Sequence, residues 1–311
     1  MKIIFMGTPD FAIPSLKTLI ASHHQIAAVV TVPDKPAGRG NKLRPSPVKL
    51  FALEHDIPVL QPEKFREKEF LRNLRAFAAD LFLVVAFRIL PEEVFLIPPK
   101  GTVNLHASLL PAYRGAAPIN WALINGEKET GVTTFFIEKK VDTGEILLQR
   151  KIEISPDMTA GELHDELAEI GAKVLLETAN GIESGSLHPI KQMGNVTQAP
   201  KITKELCRID WTKSTQEIHN LVRGLSPLPA SFTFFNSLYL KILRTKKSET
   251  ISAASRPGEI LKVPKNGPID VQTGNGVISL LLVQPQGKKV MSAGDFIRGY
   301  RIKNGDMLGG E

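Results

Sequence analysis

The chain has 311 residues, room for two domains at about 150 residues each, and 42% of them are hydrophobic against 23% charged. That balance excludes a collagen-like, disulfide-stapled or wholly disordered chain. The formal charge of +7 is unevenly held, since residues 201–311 carry 17 Lys+Arg against 9 Asp+Glu while residues 1–200 carry 22 against 23. The last third is therefore expected to face a polyanion, nucleic acid before a membrane surface. The longest apolar run, Leu81 to Phe87, is far short of the roughly 20 residues of a membrane helix, and Ile3 to Met6 is too brief for a signal peptide. Cys207 is the one cysteine, with no histidine near it in sequence, so a structural thiol in a reducing cytoplasm is expected.

Taken in chain order, Lys2 to Met6 reads as a buried strand closed by Gly7-Thr8-Pro9, with a following helix through Leu16, Leu19 and Ile20. Further apolar strands are predicted at Ile26 to Val32 and Leu81 to Phe87, with a helix between them on the spacing of Phe70, Leu74 and Phe77. Continuous apolar strands alternating with amphipathic helices predict an α/β domain with a Rossmann-like parallel sheet covered on both faces. No GxGxxG follows the first strand, which argues against a dinucleotide enzyme such as a dehydrogenase. Thr159 with Glu162 forms a capping box ahead of the stripe Leu163, Leu167, Ile170 and Val174, so a helix begins there and ends near Gly181 to Gly185. Aperiodic sequence follows, which divides the chain into 1–189, a linker at 190–207, and 208–311. In the last part, short β-rich runs at 231–235, 238–243, 259–263, 269–272 and 277–283 alternate with turn signals at Asn266-Gly267 and Gly274-Asn275-Gly276. They fit a small OB-like β-barrel, with a six-stranded sandwich as the alternative.

The densest polar signal runs from Gly101 to Pro118. If Thr102 to His106 is a strand, Asn104 and His106 project from one face while Val103 and Leu105 point to the other. Polar groups at the C-terminal end of a parallel strand are where open α/β sheets build active sites. Val132 to Ile137 is a further strand, and Val141-Asp142-Thr143-Gly144 is the turn after it, placed to bring Asp142 toward Asn104 and His106.

Asn104-Leu-His106, Ser108-Leu-Leu-Pro111, Tyr113-Arg-Gly-Ala-Ala-Pro118 and Asp142-Thr-Gly144 resemble the signature of folate-dependent formyltransferases. Gly7-Thr-Pro-Asp-Phe11, Pro33-Asp-Lys-Pro-Ala-Gly-Arg-Gly40, Pro45-Ser-Pro-Val-Lys49, Ile209-Asp-Trp211 and Gly287-Lys-Lys-Val-Met-Ser-Ala293 extend the likeness in order over nearly the whole chain, toward members that act on charged tRNA. The resemblance implies that the α-amine of methionine on initiator tRNA attacks the formyl carbon of 10-formyltetrahydrofolate. Attack makes a tetrahedral intermediate with a negative oxygen, and a donor preset there contributes roughly 3 to 4 kcal/mol. By this resemblance Asn104 and protonated His106 are the donors, and Asp142 orients His106 and takes the amine proton. Ser108, Leu109, Leu110 and Pro111 become the folate-binding loop, with Phe87, Arg88, Ile89 and Leu90 lining the pterin site. That last stretch departs from a Tyr-Gly pattern common in these members and is one residue shorter, closer to formyltransferases that act on glycinamide ribonucleotide.

Pro33 to Lys49 is a long loop with Lys35, Arg39, Lys42, Arg44 and Lys49 against the single acid Asp34, and loops of that length usually have a use. The resemblance implies that it meets the acceptor end of the tRNA, with Arg39 as its key arginine. It also implies phosphate contacts from Lys201 and Lys204 in the linker. Two basic clusters, Lys241/Arg244/Lys246/Lys247 and Lys288/Lys289, lie in the last domain, and Arg114 is assigned to the tRNA end or the folate tail. A formyltransferase for a small amine, a hydrolase of the donor, or a non-catalytic RNA-binding protein would each explain part of this pattern. The basic loop and domain count against the first two, and the Asn104, His106 and Asp142 set against the third. No cluster of His, Cys and Asp has metal-ligand spacing, and no metal, no membrane and a monomeric protein are expected.

Overall fold

In the computed structural model, residues 1–37, 42–249, 255–264 and 267–310 are described, so Arg39 and Asn266 lie outside the described residues. Spatial contacts group the chain into two units. One contains Met1–Gly115, Thr130–Ile152 and His164–Gln198, and the other Ala116–Glu129, Glu153–Leu163 and Ala199–Glu311.

The first unit is built on a seven-stranded sheet. Its strands are β1 (Lys2–Gly7), β2 (Gln25–Val30), β3 (Val59–Leu60), β4 (Leu81–Val85), β5 (Thr102–His106), β6 (Glu129–Phe136) and β7 (Ile146–Glu153), in the order β7-β6-β5-β4-β1-β2-β3. Ile3, Ile4, Phe5 and Met6 of β1 and Leu81, Phe82, Leu83 and Val85 of β4 are fully buried, as expected of strands covered on both faces. Helix α1 (Ile13–Ile20) begins with a proline in its first turn and buries Leu16 and Leu19, while α2 (Lys68–Ala76) buries Phe70 and Leu74. β1, β2, β3, β4 and β5 pair in parallel, but β6 runs antiparallel to β5, with Leu105 opposite Thr134 and His106 opposite Thr133. The parallel βαβ core expected from sequence is present, and β6 adds an antiparallel strand to it; a β-branched run such as Val132 to Ile137 encodes a strand but not its direction.

Parallel pairing puts the C-terminal ends of β1, β2, β4 and β5 along one edge of the sheet. The segments that follow there are Gly7-Thr8-Pro9, the basic loop after Val30, Phe87 to Leu90, and the chain beyond His106. The opposite face of β5 is sealed: Leu105 is met by helix α3 (Ala160–Ser184) at Gly171, where a Cβ would stand 2.8 Å from a Leu105 methyl. The capping box that starts α3 is made, with Thr159 and Glu162 bonding reciprocally.

The second unit holds an antiparallel sheet of β8 (Ser231–Phe235), β9 (Leu238–Lys247), β10 (Ile260–Lys262), β11 (Ile269–Thr273), β12 (Gly276–Pro285) and β13 (Met291–Ser292), ordered β8-β9-β12-β11-β10 with β13 beside β12. Two helices that the strand pattern did not suggest, α4 (Thr215–Leu225) and α5 (Ala293–Tyr300), supply Ile218, Val222 and Phe296 to its core. The residues near 308 join the two edges of this sheet. Leu308 N donates to Gly258 O beside β10 at 2.8 Å, and Gly309 N to Phe234 O of β8 at 2.9 Å.

Candidate active site

Asn104 and His106 sit at the C-terminal end of β5 and share a face by strand alternation. His106 is 6% exposed, and its Nε2 lies 2.8 Å from the carbonyl oxygen of Tyr113. A carbonyl only accepts, so Nε2 carries the hydrogen and Nδ1 is the atom left for other partners. The Asn104 amide, half-buried, has no hydrogen-bond partner among the described residues. Its two N–H donors thus have no protein partner among them and are open to a ligand or to water.

Asp142 is the third residue of the set, and it does not bond His106. Its Oδ2 accepts from Gly115 N at 2.9 Å, so His106 and Asp142 grip one short strap, Tyr113 to Gly115, from two sides. Thr197 holds the strap from a third, its hydroxyl accepting from Tyr113 N at 2.8 Å and its carbonyl from Arg114 N at 3.0 Å. Tyr113 and Asp142 both have left-handed backbone, φ 59° and 55°, a conformation that costs a non-glycine residue energy and persists where surrounding contacts enforce it.

Gln192 supplies that enforcement, and nothing in the sequence pointed to it. Its Oε1 accepts from Arg114 Nε at 3.2 Å and from Arg114 NH2 at 2.5 Å, and its Nε2 donates to Asp142 O at 3.0 Å and Gly144 O at 2.9 Å. All these partners are 48 to 78 residues away in sequence, beyond any local motif. Arg114, open to two roles from sequence, is committed here to Gln192.

The Ser108 to Pro111 loop is held from within. Ser108 Oγ donates to Ala112 O at 2.6 Å, Thr133 Oγ1 donates to Ser108 O at 2.6 Å, and Gln149 Nε2 donates to Leu110 O at 2.9 Å. Leu110 and Pro111 are buried and Leu109 is half-buried, so this loop presents mainly a fixed backbone. After β4, Ile89 is 76% exposed and Leu90 buried. Arg88 places its guanidinium 4.3 Å from the Phe65 ring centroid and 5.5 Å from that of Phe87. Its NH2 donates to Pro62 O at 2.8 Å, its Nε is buried without a partner, and burial lowers its pKa.

The cationic segments are arranged differently from one another. In the basic loop, Lys35 and Arg44 are exposed on a hairpin of Lys35–Ala37 and Lys42–Arg44, while Arg39 is outside the described residues. Asp34, the one acid there, accepts from Lys49 at 2.7 Å and from Gln61 at 2.8 Å, and these bonds hold its carboxyl below the usual range. Its charge is therefore spent on Lys49. In the second unit Lys201, Lys204, Lys246 and Lys247 are exposed, whereas Arg244 is paired with Glu162 at 2.7 Å. Burial raises the pKa of Cys207, as suits a thiol with no chemistry.

The family model for formyl transferase matches residues 1–179, and that for the formyl transferase C-terminal domain matches residues 201–301. A methionyl-tRNA formyltransferase of Acetivibrio thermocellus is 48% identical over 311 residues, covering 99% of this chain and 100% of its own. Among solved structures, WlaRD, a sugar 3N-formyl transferase in the presence of dTDP and 5-N-formyl-THF, superposes with a TM-score of 0.65 at 22% identity, covering 93% of this chain and 99% of its own. HypX from Aquifex aeolicus in complex with tetrahydrofolic acid superposes with a TM-score of 0.67 at 17% identity, over 100% of this chain and 51% of its own.

Proposed function

The chain belongs to the formyl transferase family, and on that premise we propose that it carries the formyl group of 10-formyltetrahydrofolate to the α-amine of methionine esterified to initiator tRNA, for translation initiation in the cytoplasm. The observation that carries the reading is the uncommitted amide of Asn104 beside buried His106, in a chain that matches a methionyl-tRNA formyltransferase from end to end. A fixed donor aimed at developing charge needs no reorganisation during the reaction, which is why it lowers the barrier.

In this reading Asn104 donates to the formyl oxygen as it becomes an oxyanion. His106, whose Nε2 hydrogen is engaged with Tyr113, donates from Nδ1 in its doubly protonated form and assists departure of N10. Asp142, or a water it holds, accepts the proton the attacking amine must lose; an ordinary α-amine has a pKa near about 8. The folate lies over the backbone of Ser108 to Pro111, with exposed Ile89 and the ring of Phe87 offering apolar surface to the pterin. The unpartnered Arg88 Nε fits a polar group nearby. Residues 1–189 carry the chemistry, 190–207 join, and 208–311 bind tRNA with Lys201 and Lys204, together with Lys35, Arg39, Lys42 and Arg44 of the basic loop. No metal is assigned to this chemistry.

The test is formyl transfer from 10-formyltetrahydrofolate to charged initiator tRNA, beside uncharged tRNA, glycinamide ribonucleotide and a buffer blank. Product with charged tRNA alone supports the proposal. Turnover with glycinamide ribonucleotide keeps the core chemistry and rejects the tRNA acceptor.

A further inference from the structure

We propose that His23, His24 and Glu183 form a binding site for a divalent transition metal, Zn²⁺ foremost, separate from the formyl-transfer chemistry. The three donors come from the turn before β2 and from the last turn of α3, 160 residues apart, so no ligand spacing shows in the sequence. Folding nevertheless brings one ligand atom from each to within 4.8 Å of the others. His23 Nε2 is 2.6 Å from Glu183 Oε2, and His24 Nδ1 is 3.9 Å from the same oxygen. Donors in a tetrahedral zinc site, at about 2.0–2.2 Å from the metal, stand roughly 3.4 Å from one another, a separation these two distances bracket.

The orientation of His24 is the second observation. Its side chain is fully buried, and its Nε2 lies 2.9 Å from Asn180 Oδ1. With the side-chain oxygen as acceptor, Nε2 carries the hydrogen and the Nδ1 lone pair is turned toward the cluster, the outer-shell arrangement that fixes the tautomer of a ligating imidazole. The Met1 ammonium now bonds this cluster, donating to Glu183 Oε1 at 2.7 Å and lying 3.2 Å from His24 Nδ1, contacts that a bound ion would displace. Two imidazole nitrogens and one carboxylate suit a borderline metal, whereas Mg²⁺ and Ca²⁺ demand oxygen ligands. Bound there, the ion would tie the entry to β2 to the end of α3.

The test is titration of the untagged, chelator-stripped full chain with Zn²⁺ against a chromophoric competitor, and with Co²⁺ followed by visible absorption. One saturable equivalent, Co²⁺ bands of tetrahedral type and a melting temperature raised by about 5 °C at a hundredfold excess over Kd are expected. Asn180→Ala is expected to weaken binding about 10–100-fold. His23→Gln and Glu183→Gln, both at exposed positions, are expected to abolish it without depending on how the buried His24 tolerates change. Absence of saturable Zn²⁺ binding, binding unchanged in those two variants, or equal competition by Mg²⁺ would each overturn the proposal.

Discussion

Replacing Gln192 tests whether the strap and the Asp142 turn are held from the side. Gln192→Leu removes four hydrogen bonds of a half-buried carboxamide, two to the Arg114 guanidinium and two from Nε2 to backbone carbonyls. At the lower end of the usual net worth per bond, the loss comes to about 2–3 kcal/mol. That lowers a urea midpoint by roughly 1 M at a slope of about 2 kcal/mol/M. With the Asp142 turn loosened, kcat is expected to fall about 10–100-fold, the usual penalty for misplacing a reacting group by an ångström. Gln192→Glu separates the two halves of the network. A carboxylate keeps Arg114 through a stronger, charge-assisted pair, but its second oxygen faces Asp142 O and Gly144 O with no hydrogen to give. We therefore expect Gln192→Glu to retain most of the stability and lose most of the turnover. Urea unfolding and formyl transfer, measured on both variants, decide. Wild-type kcat in Gln192→Glu would refute the claim that these two carbonyls position Asp142.

Asn104→Ala is expected to cost about 10²–10³ in kcat with tRNA binding preserved, and filter binding beside turnover checks both halves. Gly144→Ala puts a methyl into the carbonyl of Phe136 in β6, where only backbone could yield; we expect a loss of about 3 kcal/mol or more by thermal or urea unfolding, together with inactivity. Arg39→Ala should leave folate binding intact and raise the KM for charged tRNA; identical kinetics at several salt concentrations would remove it from the interface. His219 gives the second unit a pH dependence: burial lowers its pKa from 6.5, while its ring nitrogens bond Thr245 and the Pro156 carbonyl. Because the folded state disfavours the proton, the stabilisation is present above pH 6.5 and lost as pH falls below it. Unfolding curves from pH 7.5 to 5 should show a steeper slope in the wild type than in His219→Gln, where buried His24, its pKa also lowered by burial, still contributes.

The parts of this molecule readable from sequence are those in which a residue's neighbours in sequence decide its fate. β5 spans Thr102–His106 as alternation predicted, and α3 begins behind the Thr159/Glu162 box and ends within Gly181 to Gly185. α4 carried an equally local signal, a Ser214/Glu217 capping box before Ile218, Leu221, Val222 and Leu225, that the surrounding β-rich runs obscured. The antiparallel direction of β6 had no local signal. Neither did the holding roles of Gln192, Thr197, Thr133 and Gln149, because a glutamine or threonine in a loop looks alike whether it faces water or a carbonyl far along the chain. The Asp142 turn was legible and its partner was not: its carboxylate takes the Gly115 amide, and it reaches His106 only through the strap.

The way residues near 308 knit β8 to β10 also constrains when the second unit can form. Until the ribosome has made residue 309, the partners of the Gly258 and Phe234 carbonyls do not exist, and those positions on the two rims of the sheet stay unpaired. Open rims recruit strands from other molecules. Nascent chains interrupted between about 285 and 305 should therefore be aggregation-prone even though nearly every strand is complete, and the second unit should mature only once its closing segment has emerged.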